Sequence, residues 1–140
     1  MTAIESLARL HRWQLDERRR QLADLDQLAF KLREEAQRLV AEQKNEQSVA
    51  AGSPEAATAY AAYARRLIER RKKIEASLAS VEQQIAQARE ALAEAYQEVK
   101  RYEIAAANRV MQQRRRQNRQ QQRVLDELGV EVYRRRGRNP

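Results

Sequence analysis

The chain has 140 residues, of which 28 are Lys or Arg and 20 are Asp or Glu, so its formal charge is +8. It has no Cys, which excludes disulfide bonds, Cys-based metal sites and a thiol nucleophile. Its three scattered Gly residues cannot form a phosphate-binding loop, and no segment has the apolar core of a membrane span or signal peptide. We therefore expect a cytosolic protein that is not an enzyme and has no cofactor, metal ion or small-molecule substrate.

The charged residues are distributed unevenly along the chain. Residues 1–107 carry 18 basic and 17 acidic side chains, which nearly cancel. Residues 108–140 carry ten Arg and three acidic residues, a net charge of +7. Arg forms bidentate contacts with carboxylate and phosphate groups, so this end of the chain is predicted to contact a partner with acidic groups.

The first predicted helix covers about residues 3–50. Its apolar residues recur at alternating steps of four and three residues. A sustained repeat of about 3.5 residues keeps one stripe of a helix facing a supercoiled partner, so this helix is predicted to form part of a coiled coil. The predicted seam consists of Ile4, Ala8, His11, Leu15, Arg18, Leu22, Leu25, Ala29, Leu32, Ala36, Leu39 and Gln43.

A turn is predicted at residues 51–53, followed by a second helix over about 54–128. Ser53 is suited to the N-cap position, and Pro54 to the first helical position, where its missing N–H is not needed. The same stepping continues in the second helix, so the predicted fold is an all-α, long antiparallel two-helix coiled-coil hairpin in a single domain. This half of the seam consists of Tyr60, Ala64, Leu67, Arg71, Ile74, Leu78, Val81, Ile85, Ala88, Leu92, Ala95, Val99, Tyr102, Ala106 and Arg109.

The two predicted helices differ in length, about 72 Å for the first and about 110 Å for the second. Folding back at residue 52 is predicted to place Ile4 beside roughly residue 100, which leaves an overhanging C-terminal helix beyond about Asn108. Residues 112–123 read QQRRRQNRQQQR, a run of helix-forming residues with no apolar face. The apolar seam, the pairing with the first helix and the balance of acidic and basic residues are therefore all predicted to end at about residue 108.

The second helix is predicted to end at about residue 128, because Gly129 resembles a helix stop. Residues 129–140 are predicted to form a disordered basic tail. The tail contains Val130, Val132 and Tyr133, which gives it a means of folding back onto an exposed hydrophobic side chain.

Three aromatic residues are candidates for partner contacts. Trp13 lies at an outward position relative to the seam, and Trp is enriched in binding hot spots. It is interpreted either as a partner contact or as a residue packed under the basic tail. Tyr60 and Tyr63 follow the turn and are interpreted as local packing or as a docking site. His11, which lies on the seam without a second His nearby, is interpreted as a packing residue.

The arginine run also raises the possibility of nucleic-acid binding. In a basic leucine zipper, however, the basic region precedes a parallel zipper, whereas here it follows an intramolecular repeat. Nucleic-acid binding by the same arginines is therefore the less favoured alternative. It predicts submicromolar DNA affinity that persists at physiological salt.

Two segments resemble a known family of coiled-coil proteins. The first segment reads LARLHRWQLDERR from Leu7 and leads into LADLDQL from Leu22; the second, at residues 123–128, reads RVLDEL. Together they resemble the opening and the C-terminal helix of FliJ-type flagellar export proteins. The resemblance implies an antiparallel coiled coil, similar to the central stalk of rotary ATPases, in the flagellar type III export apparatus.

The same resemblance implies partners and a location. Proteins of that family enter the ring of the export ATPase FliI and engage the export gate protein FlhA and export chaperones, at the cytoplasmic side of the cell membrane. The equivalent stalk of a virulence-type secretion system is an alternative that the sequence does not separate. The expected contacts with the gate or chaperones are Tyr60 and Tyr63, and the expected ring contacts are Arg114, Arg115, Arg116, Arg119, Arg123 and Trp13.

Overall fold

A computed structural model describes residues 2–138 of the chain. These residues form two long α-helices and no strand: α1 is Ala3–Ala50 and α2 is Pro54–Arg138. The fold is the predicted all-α two-helix hairpin. The chain divides into two compact units, which we name the hairpin unit (Trp13–Tyr96) and the terminal unit (described residues 2–12 and 97–138).

Both helices begin at a side-chain cap. Thr2 and Glu5 form a capping box at the start of α1, in which the Glu5 N–H donates to Thr2 Oγ1 (3.3 Å) and the Thr2 N–H donates to Glu5 Oε2 (3.2 Å). At the start of α2, the Ala56 N–H donates to Ser53 Oγ at 3.1 Å. The predicted N-cap at Ser53 and first helical position at Pro54 are confirmed.

Two apolar clusters hold the hairpin unit together. In the first, Ala29 packs with Val81 and Ile85; in the second, Leu39 packs with Leu67 and Ile74. Leu32 is partly buried against both clusters and connects them. Residues that complete the two clusters are Leu22, Leu25, Leu78, Ala36 and Tyr63.

The predicted seam is the buried face of both helices. Among all the predicted seam positions, only Arg18, Arg71 and Arg109 are exposed. A long Arg at a seam position directs its guanidinium to water while its stem lies along apolar neighbours, so these three positions interrupt the burial without breaking the pattern.

The pairing of the helices is shifted from the sequence prediction. Equal pairing about residue 52 would place Ala29 beside roughly residue 75, but Ala29 packs with Val81 and Ile85. In the terminal unit, Ile4 lines a groove with Ala105 and Asn108 rather than lying beside residue 100. The reason is that all of residues 54–59 except Ala56 are exposed, so the first turns of α2 contribute little pairing with α1.

In the terminal unit, the first turns of α1 pack against α2. Ala8 and Val99 are buried, and the rings of His11 and Tyr102 stack. An ion pair joins Arg12 Nε to Glu103 Oε1 at 3.7 Å. Because both of its side chains are largely exposed, this pair contributes little stability compared with the burial beside it.

The predicted end of α2 at residue 128 is wrong. The helix continues through Gly129 to Arg138, and only Asn139 and Pro140 of the predicted tail lie outside the described residues. Gly129 has an ordinary helical backbone, because none of the described glycines has a positive φ. A Gly inside a helix costs only about 1 kcal/mol relative to Ala. That cost is offset by helix-forming neighbours and by the Arg135–Glu131 ion pair one turn further on.

The hydrophobic residues of the predicted tail therefore belong to α2. Val130, Val132 and Tyr133 are exposed on the helix, and Trp13 itself is 59% exposed. No helix within residues 2–138 is both long enough and apolar enough to cross a membrane.

Candidate functional site

The candidate site is the last part of α2, residues 107–138, which we name the free arm. Every one of these residues is exposed, and α1 comes near them at the base of the arm, where Ile4 and Asn108 line one groove. Local interactions support the helix there, such as the hydrogen bond from Gln122 Nε2 to Asp126 Oδ1 at 3.2 Å. A long helix that buries none of its residues is available to a partner along its whole circumference.

Five arginines lie in the segment 112–123 of the free arm, which we name the arginine segment. Within residues 2–138, none of these five guanidinium groups has an acidic partner. Elsewhere in the chain, Arg19 and Arg20 pair with Asp16 and Glu17 at 3.5 and 2.9 Å. Their charge is partly neutralised locally, whereas that of the arginine segment is not. The five residues are Arg114, Arg115, Arg116, Arg119 and Arg123.

The arginine segment presents positive charge in several directions. Successive residues of an α-helix are rotated by about 100°, so Arg114, Arg115 and Arg116 point to three different sides. Arg119 and Arg123 lie three and seven residues beyond Arg116 and share its face, which continues the seam. Arg115 lies about 40° from Arg119, so four of the predicted ring contacts fall within an arc of about 100° and Arg114 lies on the far side of the helix.

A shallow groove of about 400 Å³ lies where the first turn of α1 meets the base of the free arm. Ile4 and Ala105 are its apolar lining residues. The polar lining consists of Asn108, Arg109, Gln112, Gln113 and Arg116. Arg116 therefore belongs both to the groove and to the arc of four arginines, and a partner that contacts this arc also reaches the start of α1.

Trp13 and the five arginines belong to different units. Trp13 lies in the hairpin unit, and its 59% exposure agrees with the outward position deduced from the seam. The arginines lie in the terminal unit. That Trp13 contacts the same partner as the arginines stays a prediction.

Tyr60 and Tyr63 are both half-buried, and their ring centroids lie 6.4 Å apart. Tyr63 packs against the cluster of Leu39, Leu67 and Ile74. Burial of its hydroxyl, together with the neighbouring Glu42 carboxylate, raises the pKa of Tyr63 to about 12. Tyr63 Oη has no hydrogen bond that meets ordinary distance and angle limits. Much of the Tyr63 side chain is thus engaged in local packing. A gate or chaperone contact would use only the exposed part of its ring.

His11 packs on the seam through its stacked contact with Tyr102. Residues 2–138 contain no group of three or more His, Asp or Glu residues placed to hold a metal ion. The exposed free arm is the feature that a function must explain.

One exposed feature of the free arm was missed in the sequence. Four aliphatic residues, Val124, Leu125, Leu128 and Val132, form what we name the apolar stripe; they are 50–61% exposed. At about 100° per residue they fall within an arc of about 100°. The spacing of Leu125, Leu128 and Val132 by three and four residues indicates the stripe in the sequence. It was missed because the predicted helix ended at residue 128, before Val132.

Comparison with known families identifies the chain. The family model described as the flagellar FliJ protein matches residues 1–138. The chain belongs to the FliJ family. Comparisons with curated proteins and with solved structures give no significant match.

Membership of the FliJ family gives the chain a role associated with flagellar type III export. The family is of the non-catalytic stalk or chaperone type, and its partners belong to the export apparatus. For this FliJ-family chain, the free arm is the surface on which a partner contact is most directly available.

Proposed function

We propose that this chain is a non-catalytic stalk and escort of the flagellar export apparatus, whose free arm enters the ring of the export ATPase FliI. The observation that carries the proposal is the exposure of every residue from Ala107 to Arg138, in a helix whose arginine segment has no acidic partners. The chain then acts at the cytoplasmic side of the cell membrane through its contacts with the apparatus.

The directions of the arginines support an enclosing partner. Arg114, Arg115 and Arg116 point to three sides of the helix, so a flat surface would engage one or two of them. A ring pore lined by carboxylates or carbonyl groups would engage all three. Arg suits such contacts because its planar guanidinium donates several hydrogen bonds in a fixed geometry.

The contacts with the export gate protein FlhA and with export chaperones belong to the same proposal. Trp13 supplies an aromatic side chain that is 59% exposed. We assign it to the ring contact, as its outward position suggests. Tyr60 and Tyr63, near the turn, are assigned to the gate or chaperone contact through the exposed parts of their rings.

The chain provides a matched test of the arginine segment, because it contains two other runs of three consecutive arginines. Replacing Arg114, Arg115 and Arg116 by Ala removes the proposed ring contacts. The same replacement of Arg18, Arg19 and Arg20 removes an equal charge from the hairpin unit. We expect the first variant to weaken binding to purified FliI by at least about tenfold, and the second by less than about threefold.

Two results would contradict the proposal. One is equal weakening by the two triple variants, which would show a response to net charge alone. The other is submicromolar DNA binding at about 150 mM salt that the Arg114–Arg116 variant abolishes, because this result would favour nucleic acid as the partner.

A further inference from the structure

The apolar stripe is not used by the proposed ring contact, which rests on the arginine segment. Its four members, Val124, Leu125, Leu128 and Val132, are exposed and lie on one side of the free arm. Val130 lies on the opposite side, about 120–160° away from the members of the stripe. The end of the arm is therefore an amphipathic helix without a partner.

Four further arginines lie at the end of the stripe. At about 100° per residue, Arg135 falls in line with the stripe, and Arg136 and Arg138 fall beside its two edges. Arg134 lies on the far side of the helix. Long arginine side chains beside an apolar strip can reach outward to anionic groups while the strip itself is buried.

The acidic residues near the stripe do not remove this pattern. Asp126 lies about 100° from the nearest member of the stripe, whereas Glu127 lies about 60° from Val124, beside the same edge as Glu131 and Arg138. Glu131 lies near one edge, and its carboxylate is held by Arg135 at 3.1 Å. Within residues 2–138, Arg134, Arg136 and Arg138 have no acidic partner. The cationic part of the stripe's surroundings is thus its C-terminal end, at residues 134–138, where four arginines follow the last acidic residue.

We propose that the end of the free arm binds the surface of an anionic lipid bilayer, with the apolar stripe facing the acyl chains and the flanking arginines contacting lipid phosphates. Helices of this kind, with aliphatic residues on one face and Arg on the other, lie in the plane of a membrane interface. Anionic lipids add electrostatic attraction for arginines close to the surface.

Two other occupants fit the stripe less well. The stripe covers residues 124–132, a little over one heptad, whereas a coiled coil generally needs three or four heptads. A second copy of the chain paired side by side and in parallel would also bring the four arginines of residues 134–138 next to the same four of its partner. A lipid surface requires neither a repeated register nor an oppositely charged helix.

The test is flotation of the full chain with vesicles. The two vesicle types are phosphatidylcholine alone and phosphatidylcholine with about 30% phosphatidylglycerol, at about 150 mM salt. We expect wild-type protein to float with the anionic vesicles and not with the neutral ones. Because the stripe touches no core residue, substitutions in it leave the helical circular dichroism and the melting temperature unchanged.

Val132 and Val130 provide a matched pair of residues, 50% and 54% exposed, on opposite sides of the same helix. We expect Leu128→Gln combined with Val132→Gln to lower the partition onto anionic vesicles by about tenfold or more. Val132→Gln alone is expected to have a clear effect, and Val130→Gln to change the partition by less than about twofold. Replacing Arg134, Arg135 and Arg136 by Gln is also expected to lower it, more than the same change at Arg18, Arg19 and Arg20.

Three results would overturn the proposal. The first is the absence of wild-type flotation with anionic vesicles. The second is an equal effect of Val130→Gln and Val132→Gln. The third is binding that depends on the arginines but not on Leu128 and Val132, because this is general attraction to polyanions.

Discussion

The imidazole ring of His11 stacks on the phenol ring of Tyr102, with centroids 4.5 Å apart and an interplanar angle of 12°. This contact joins the first turns of α1 to the last part of α2 that is packed. Four residues further along α2, Ala106 is the last half-buried position, and every later described residue is exposed. The stacked pair therefore lies beside the point where the hairpin seam ends and the free arm begins.

Loss of this contact is expected to loosen the start of α1. Tyr102→Ala removes the aromatic pair with His11, worth about 0.5–1.5 kcal/mol. Hydrogen exchange of residues 3–12 should become faster, while residues 25–40 keep their protection. Tyr133→Ala is the control, because Tyr133 is 80% exposed and its removal should change neither segment. Equal loss of protection in both segments would show that the seam unfolds as one unit.

The cap at Ser53 is expected to stabilise α2 measurably. Ser53→Ala removes the acceptor of the Ala56 N–H and should lower the free energy of unfolding by about 1 kcal/mol. Ser48→Ala is a matched control, because Ser48 Oγ donates only to the Lys44 carbonyl within α1. Ala there should be neutral or slightly stabilising. Urea unfolding followed by circular dichroism checks both, and equal loss in the two variants would contradict the assigned cap.

Leu67 and Ile68 are adjacent residues with opposite environments, at 2% and 48% exposure. Leu67→Ala leaves a gap in the cluster with Leu39 and Ile74, and should lower the free energy of unfolding by about 2–4 kcal/mol. Ile68→Ala should cost less than about 1 kcal/mol. Denaturant midpoints measure the difference, and similar midpoints for the two variants would mean that the seam is assigned to the wrong face.

The seam was predictable because side-chain periodicity alone determines which face of a helix is buried. The steps through Leu39, Leu67 and Ile74 follow that periodicity, and all three residues are core residues. The register was harder to predict, since it depends on how many residues after Pro54 remain unpaired. No periodicity encodes that number, so the pairing of Ala29 was misplaced by about two turns of helix.

The end of α2 could not be predicted for a different reason. Gly129 is a common stop signal, but a stop requires the backbone to leave the helical region, and Gly129 does not. Because the helix was ended too early, Val132 was assigned to a disordered tail instead of to a face shared with Leu125 and Leu128. The cationic arginine segment, by contrast, follows directly from the loss of apolar residues after Arg109.

Tyr63 should make stability depend on alkaline pH. Its pKa is raised from 10.0 to about 12 by burial and by the Glu42 carboxylate. Folding thus favours the neutral phenol, which contributes to the free energy of unfolding. The contribution is fully present below pH 10.0 and is lost as the pH rises toward about 12. As the pH rises, the melting temperature of the wild type should therefore fall relative to that of Tyr63→Phe.

The control for this titration is Tyr133→Phe, which changes an exposed tyrosine. Its melting temperature should follow that of the wild type at every pH, because the side chain of Tyr133 is 80% exposed. A constant difference between wild type and Tyr63→Phe from pH 9 to about pH 11.5 would contradict the assigned environment of Tyr63.

The central claim, that the free arm acts inside the export ATPase ring, is tested most directly by ATP turnover of purified FliI during titration with this chain. We expect turnover to rise severalfold to a plateau with wild type and with the Arg18–Arg20 Ala variant. The Arg114–Arg116 Ala variant should produce little or no rise at the same concentrations. Turnover that stays unchanged across a saturating titration with the wild-type chain would contradict the account.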